Sequence, residues 1–346
     1  YYDLWKKVVE ISKEDIKKVY DLLNVNFELW LGESDATEYL DELTTIYEEK
    51  NALTESEGAQ VVEVKEETDN SPMPPLLFKR SNGTISYETT DLATILQRQK
   101  EINPDEIWYC VDARQGLHFE QVFRAARKVG LVDENVALEH IGFGTMNGKD
   151  GKPFKTRDGG VMSLKGLINL VEEETKKRIN PETVEESKKD EIAETIAIAA
   201  LKFADLLPFR GTDYIFELEK FADLEGKTGP YLLYSTIRMK SLLEKGTHLE
   251  IGNITKFKTE TERDIALTIL RLPVILNKAL DSRSLNDITE YLYKLTSLYN
   301  KFYAENKILT EEDQKLQTSW LTLTKVVYDI NMMLLDVLAI KVPEKM

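Results

Sequence analysis

The chain of 346 residues has one cysteine, three histidines and no apolar run long enough to cross a membrane. A lone cysteine, Cys110, excludes an internal disulfide and fits a reducing compartment, so a cytoplasmic protein is expected. Its place in the strand-like run 107–111 suits a buried small apolar residue better than a nucleophile. The histidines, His118, His140 and His248, include no pair at i, i+4 spacing. Spacing therefore assembles neither a zinc site nor a Ser-His-Asp or Cys-His constellation, and no metal ligand is expected. Basic charge is also short: 45 Lys and Arg stand against 61 Asp and Glu, a formal charge of −16. That argues against general nucleic-acid affinity, DNA included, and an RNA contact would need a local basic or aromatic patch. There is no initiator methionine and no signal-peptide pattern at Tyr1-Tyr2-Asp3, as expected of a piece of a longer protein.

The length allows two or three domains and more than one core. Ser12-Lys-Glu-Asp15 reads as a capping box ahead of Ile16, Val19, Tyr20 and Leu23, predicting an amphipathic helix to about Asn24. The run 27–31 reads as a short strand ending in the turn Gly32-Glu33-Ser34, where Glu33 alone is an exposed turn carboxylate. A second amphipathic helix is expected over 35–53. The acidic, punctuated stretch after it, with a strand at 61–64, completes an insertion of about 35–75. Asn82-Gly83 signals a hairpin within 76–87.

A regular alternation follows: strand 84–87, helix 90–102, strand 107–111, helix 115–129 stopped by Gly130, and strand 137–143. Such an order is one half of a doubly wound, Rossmann-like parallel sheet. Ligands bind these sheets at the carboxyl ends of the strands, which is where Asp91, residues 112–115 and the loop from Lys149 to Arg157 should lie. The glycines of 142–160 let a backbone approach a ligand, and its lysines suit phosphate; a solvated surface loop is the plainer alternative. Gly142–Gly148 does not fit GxGxxG, and Gly144–Lys149 is one residue short of a P-loop.

From Ser163 the pattern is helical. Ser163 caps a helix to about Ile179, and Pro181 opens another that carries Ile192, Ile196, Ala200 and Phe203. Gly229-Pro230 starts a third, with Tyr231 and Tyr234 sharing a face; on their own these read as core aromatics. A helix over 260–280 should bend or break near Pro273, and helices over 284–305 and 311–339 complete an all-α domain.

Several stretches stand in the order found in one family: Gly32-Glu-Ser34, Thr84-Ile-Ser-Tyr-Glu-Thr-Thr-Asp-Leu-Ala93, Gln115-Gly-Leu-His-Phe-Glu-Gln121 and His140-Ile-Gly-Phe-Gly-Thr-Met146. Gly151-Lys-Pro-Phe-Lys-Thr-Arg-Asp-Gly-Gly160, Lys227-Thr-Gly-Pro-Tyr-Leu-Leu-Tyr234, Arg263-Asp-Ile-Ala-Leu267 and Ile340-Lys-Val-Pro-Glu-Lys-Met346 continue the series. Over nearly its whole length the chain resembles class I arginyl-tRNA synthetases. The resemblance implies a catalytic half-domain over 1–161, a helical connection over 162–225 and an anticodon-binding helical bundle over 226–346.

It further implies that Lys152-Pro-Phe-Lys-Thr156 occupies the place of the KMSKS loop. Lys149, Lys152 and Lys155 would then share the catalytic role, meeting the charge that grows on departing pyrophosphate. Gly142, Gly144 and Met146, with Lys152 and Lys155, would hold ATP, which enters with Mg2+. Glu33, Tyr87, Asp91 and Gln115 would line the arginine pocket, and Tyr231, Tyr234 and Met346 would meet tRNA(Arg). The family's HIGH signature is absent, since Glu139-His-Ile-Gly142 is a chance fragment on the wrong element. The expectation is a carboxyl-terminal portion that does not activate arginine alone. The full enzyme is expected to be a monomer, and the portion, with an open sheet edge, to be prone to self-association. A stand-alone RNA-binding or regulatory module without catalysis, and a half-sheet with a bundle that binds a nucleotide or a protein, are the competing readings.

Overall fold

Helix α1 (Tyr2–Leu22) of the computed structural model starts well ahead of Ser12, because Leu4, Trp5, Val8 and Ile11 carry the helical spacing back through the first turns. The structure describes residues 1–152, 163–179, 184–223, 225–254 and 257–346. By packing they form one unit of residues 27–144 and another of 1–26 with 145–346, whereas the sequence reading divides the chain by role at 161 and 225. In the second unit only the end of α1 reaches a core, where Leu22 and Leu23 pack beside Ile168 and Val171. The strand expected at 27–31 does not form. Phe27, Leu29 and Leu31 alternate as a strand would, but they are about half exposed and belong to none of the described strands.

Within 27–144, a 3-10 turn (Glu33–Tyr39) leads into helix α2 (Leu40–Glu49), dividing the helix expected over 35–53. Strands β1 (Thr54–Ser56), β2 (Ala59–Val62) and β3 (Leu76–Lys79) form an antiparallel sheet in that order, so the insertion belongs to a sheet of its own. The Asn82-Gly83 turn forms, with Gly83 at φ +82°, but its return is a single bridge from Lys79 to Ile85. The strand expected at 84–87 is replaced by the start of helix α3 (Tyr87–Glu101). Ser86 decides this: its buried hydroxyl accepts from Thr89 N–H as an N-cap and donates to the Leu77 carbonyl of β3.

Strand β4 (Glu106–Tyr109), helix α4 (Gly116–Lys128) and strand β5 (Ala137–His140) complete the parallel part. The pairing runs in register from Glu106↔Ala137 to Tyr109↔His140 and continues as a bridge from Asp112 to Phe143. Gly130, at φ +68°, ends α4 as expected. Ile107 and Tyr109 point into the core, and by the same period-two alternation Trp108 and Cys110 point out. Cys110 is exposed, against the expectation of a buried residue. The core gathers Leu43, Tyr47, Phe78, Leu92, Ile95 and Val122 under α2, α3 and α4.

In the other unit β6 (Met146–Asn147) pairs in parallel with β7 (Tyr214–Ile215), and helices α5 (Leu164–Lys176) and α6 (Lys189–Leu206) pack side by side. Ser163 caps α5 as expected; Pro181 lies outside the described residues. A short α7 (Leu218–Phe221) precedes α8 (Gly229–Lys245), α9 (Glu260–Leu270), α10 (Leu272–Ser282), α11 (Asn286–Glu305) and α12 (Gln314–Val337). Pro273 sits in the first turn of α10, so the predicted break is a clean one between two helices. Leu232, Met239, Leu292, Leu295, Trp320 and Leu334 are among the residues of the bundle core.

The chain leaves α12 through Ala339, in the left-handed region at φ +53°, and Ile340 is buried. Lys202 of α6 donates from Nζ to the Ala339 carbonyl at 2.9 Å. Burial, with a smaller contribution from Lys341, pulls the Lys202 ammonium down to about 8. Between that value and the ordinary lysine range of the unfolded chain, the unfolded state binds more protons, so stability must rise with pH there. Urea denaturation at steps from pH 8 to 10.5 should show this rise in the native chain and a flatter profile in Lys202→Met.

Candidate active site

The carboxyl ends of β4 and β5 sit side by side, and the turns that leave them are built for close approach. After β4, Asp112 accepts from Arg114 N–H at 2.8 Å and takes the Arg114 guanidinium on both oxygens, at 2.9 and 2.6 Å. Those bonds hold the Asp112 carboxyl down at about 2. After β5, Gly142 is buried, and a Cβ there would lie 3.0 Å from both Ala113 Cα and His140 Cε1. A side chain there would press the two turns apart, which glycine avoids. Phe143 N–H then donates to the Val111 carbonyl and Ala113 N–H to the Phe143 carbonyl, locking the ends together.

Beside these turns, α3 and α4 present a connected group. Asp91 Oδ2 is 2.7 Å from His118 Nε2. The His118 ring packs on Tyr87 at 4.9 Å between centroids and edge-on to Phe119 at 4.7 Å; Phe119 stacks on His140 at 5.4 Å. A run of rings thus links the first turn of α3 to the end of β5. Tyr87 is itself half exposed, and desolvation, followed by the Glu88 carboxylate, raises its phenol above the ordinary value, so it stays a neutral donor at neutral pH.

The structure brings Asp91 and Tyr87 together around a residue that sequence reasoning did not single out, His118. The signal was present, since His118 follows Gln115 by three residues and one helical turn. Its partner Asp91, 27 positions away, was not legible. Gln115 is exposed at the N-cap of α4. Glu33 is exposed at the first position of a 3-10 turn that packs against α3, the helix carrying Tyr87 and Asp91.

In the unit of 145–346, Thr145 N–H donates to Asp213 Oδ1 at 2.7 Å, and the half-buried Met146 packs against the core that holds Phe216. Lys149 and Lys152 are exposed on a tight turn closed by Gly148 N–H on the Lys152 carbonyl and Gly151 N–H on the Gly148 carbonyl. Gly144 is half-buried, at the end of the other unit. Lys155 lies outside the described residues. Among the described residues no group of three or more His, Cys, Asp or Glu is arranged to hold a metal ion.

The two tyrosines of α8 differ. Tyr231 is half-buried, and its hydroxyl accepts from Asn300 Nδ2 at 2.8 Å while its ring packs near Tyr293. Tyr234 is exposed, with the Arg238 guanidinium 4.7 Å from its ring; the same cation lies 5.3 Å from Tyr303. Met346, like Val342, packs against the bundle core.

Comparison with known proteins identifies the family of the chain as a whole. The model for the class I (R) tRNA synthetase catalytic domain matches residues 1–218, and that for the DALR anticodon binding domain matches 232–346. The chain is 40% identical over 360 residues to the arginine–tRNA ligase of Agathobacter rectalis and 41% over 354 residues to that of Francisella tularensis subsp. novicida. Those alignments cover 100% of this chain and 60% and 59% of the relatives. Among solved structures, arginyl-tRNA synthetase from Plasmodium falciparum superposes with a TM-score of 0.82 at 26% identity, over 100% of this chain and 59% of that one. The Thermus thermophilus synthetase superposes at 0.83 and 21%, over 95% and 62%, which speaks to the fold alone. The chain spans about 60% of the length of the curated relatives it matches, and it belongs to the class I arginyl-tRNA synthetase family.

Proposed function

We propose that this chain supplies the arginine side, the lysine loop and the anticodon module of an enzyme that joins L-arginine to tRNA(Arg) at the expense of ATP. The observation that carries the reading is the Asp91 carboxylate, fixed at the first turns of α3 beside a neutral, half-exposed Tyr87 phenol. A guanidinium is a planar cation with five donors, and carboxylates bind it through paired, charge-assisted bonds that lysine's point charge does not reproduce. Glu33 contributes a second carboxylate, and Gln115 an amide at the mouth of α4. The family resemblance assigns Gly142, Gly144 and Met146 to the nucleotide. In the first step the arginine carboxylate attacks the α-phosphate of ATP, the bond to the β-phosphate oxygen breaks, and pyrophosphate leaves. Lys149, Lys152 and Lys155 stabilise the charge that grows on it. Mg2+ would arrive with ATP.

Transfer of the arginyl group to tRNA(Arg) follows, with the anticodon stem-loop held by the bundle. Tyr234, exposed and stacked with Arg238, offers an unpaired base a π-face and a cation together. Tyr231 acts by holding α8 to α11 through Asn300, and Met346 by docking the carboxyl end on the bundle. The working site is cytoplasmic, and the complete enzyme a monomer. The exposed Trp108 and Phe143 at the parallel strands make self-association of this chain alone the expected behaviour.

Because the sequence contains no HIGH signature, the 346-residue chain should bind arginine without completing adenylate formation. ATP–pyrophosphate exchange tests this. Exchange at least a thousandfold below that of a full-length relative is the expected result, roughly 4 kcal/mol of lost transition-state stabilisation. Turnover near that of the relative would contradict it.

A further inference from the structure

The Asp91–His118 pair carries more information than its distance. His118 Nε2 meets Asp91 Oδ2 at 2.7 Å, while its Nδ1 is buried and has no hydrogen-bond partner among the described residues. A proton on Nδ1 would be a donor shut away from any acceptor, which is costly, so the single imidazole proton belongs on Nε2 and points at Asp91. The ring has little room to turn, held by Tyr87 on one side and Phe119 on the other, with 10% of its side chain exposed. The Asp91 side chain is 29% exposed and so remains open to a ligand.

We infer that His118 is a positioning residue for arginine recognition: as the neutral Nε2–H tautomer it fixes the Asp91 carboxylate in one rotamer without cancelling its charge. This rests on the reading of Asp91 as a partner of the guanidinium. The choice of residue follows from the chemistry. An arginine or lysine at this place would orient Asp91 equally well but neutralise it, and the substrate cation would meet a spent ion pair. A neutral donor leaves the full negative charge for the ligand, with lone pairs to spare after one bond. The same ring also supports Tyr87, so one side chain sets the geometry of two pocket residues.

Two variants separate the donor from the ring. His118→Gln keeps an N–H donor near the position of Nε2, and His118→Phe keeps the ring and its packing but donates nothing. Calorimetric titration of the 346-residue chain with L-arginine should show about a tenfold loss for His118→Phe and a loss within about threefold for His118→Gln, with unchanged circular dichroism. Nitrogen-15 shifts of the wild-type imidazole should report the Nε2–H tautomer at neutral pH. Wild-type affinity in His118→Phe, equal losses in the two variants, or an imidazole protonated at Nδ1 would each overturn the inference. A wild-type chain that shows the expected tautomer yet binds no arginine would instead remove the assignment of Asp91, and the inference with it.

Discussion

Gly229→Ala should destabilise the helical unit by about 3 kcal/mol, although the same substitution in an ordinary helix stabilises by roughly 1 kcal/mol. The reversal comes from a single contact. A Cβ on Gly229 would overlap the carbonyl carbon and oxygen of Ala199 and crowd the Ala200 nitrogen, and backbone of α6 cannot swing aside as a side chain can. The first turn of α8 would have to lift off α6, opening the core where Ala199, Leu232 and Leu233 meet. Neighbouring residues show how closely the junction is specified. Thr228 caps α8 by accepting from Tyr231 N–H and donates its own hydroxyl proton to the Asp223 carbonyl, while Pro230 occupies a position that needs no N–H. Thermal denaturation should show Tm lowered on the order of 10 °C. An unchanged or raised Tm would mean that the α6–α8 contact is looser than the structure shows.

Asp91→Asn should weaken arginine binding about 10- to 100-fold while leaving the fold intact. Asparagine keeps an oxygen that can accept from His118 Nε2, so the packing of Tyr87, His118 and Phe119 persists. What disappears is the charge, and a hydrogen bond to an ionised group contributes about 1.5–3 kcal/mol, which is one to two decades in affinity. Calorimetric titration with L-arginine reads this directly. Equal affinity in the variant would show that Asp91 serves α3 as a helix N-terminal carboxylate and nothing more.

Local chemistry made much of the fold legible. Ser163, Gly130 and Pro273 each mark a boundary through their own side chain or its absence, and each boundary lies where it was expected. The errors arise where local pattern and tertiary pairing disagree. The run 27–31 alternates like a strand, but alternation forms no strand without a ladder to join. Thr84-Ile-Ser-Tyr87 also alternates, yet the buried Ser86 hydroxyl finds a carbonyl on β3 and starts a helix instead. Cys110 follows the period-two rule, but which face of β4 is covered is a property of the whole sheet.

The candidate site divides in the same way. Glu33, Tyr87, Asp91 and Gln115 stood out through resemblance to a family, not through periodicity or spacing. Residues that support them through space were harder to see. His118 and Asp91 are 27 positions apart on different helices, and the ring path to His140 crosses from α4 to β5. Tyr231 and Tyr234 share a spacing but not an environment, because Asn300 on α11 ties one of them down.

L-Citrulline offers the most direct test of charge recognition in the pocket, since it replaces the guanidinium by a neutral ureido group of nearly the same shape. Titrated side by side into the 346-residue chain, arginine should bind at least 100-fold more tightly, a difference of about 2.7 kcal/mol between a cation and its neutral isostere. Equal affinities would contradict the account, because a pocket built around the Asp91 carboxylate cannot be indifferent to the charge of what it holds.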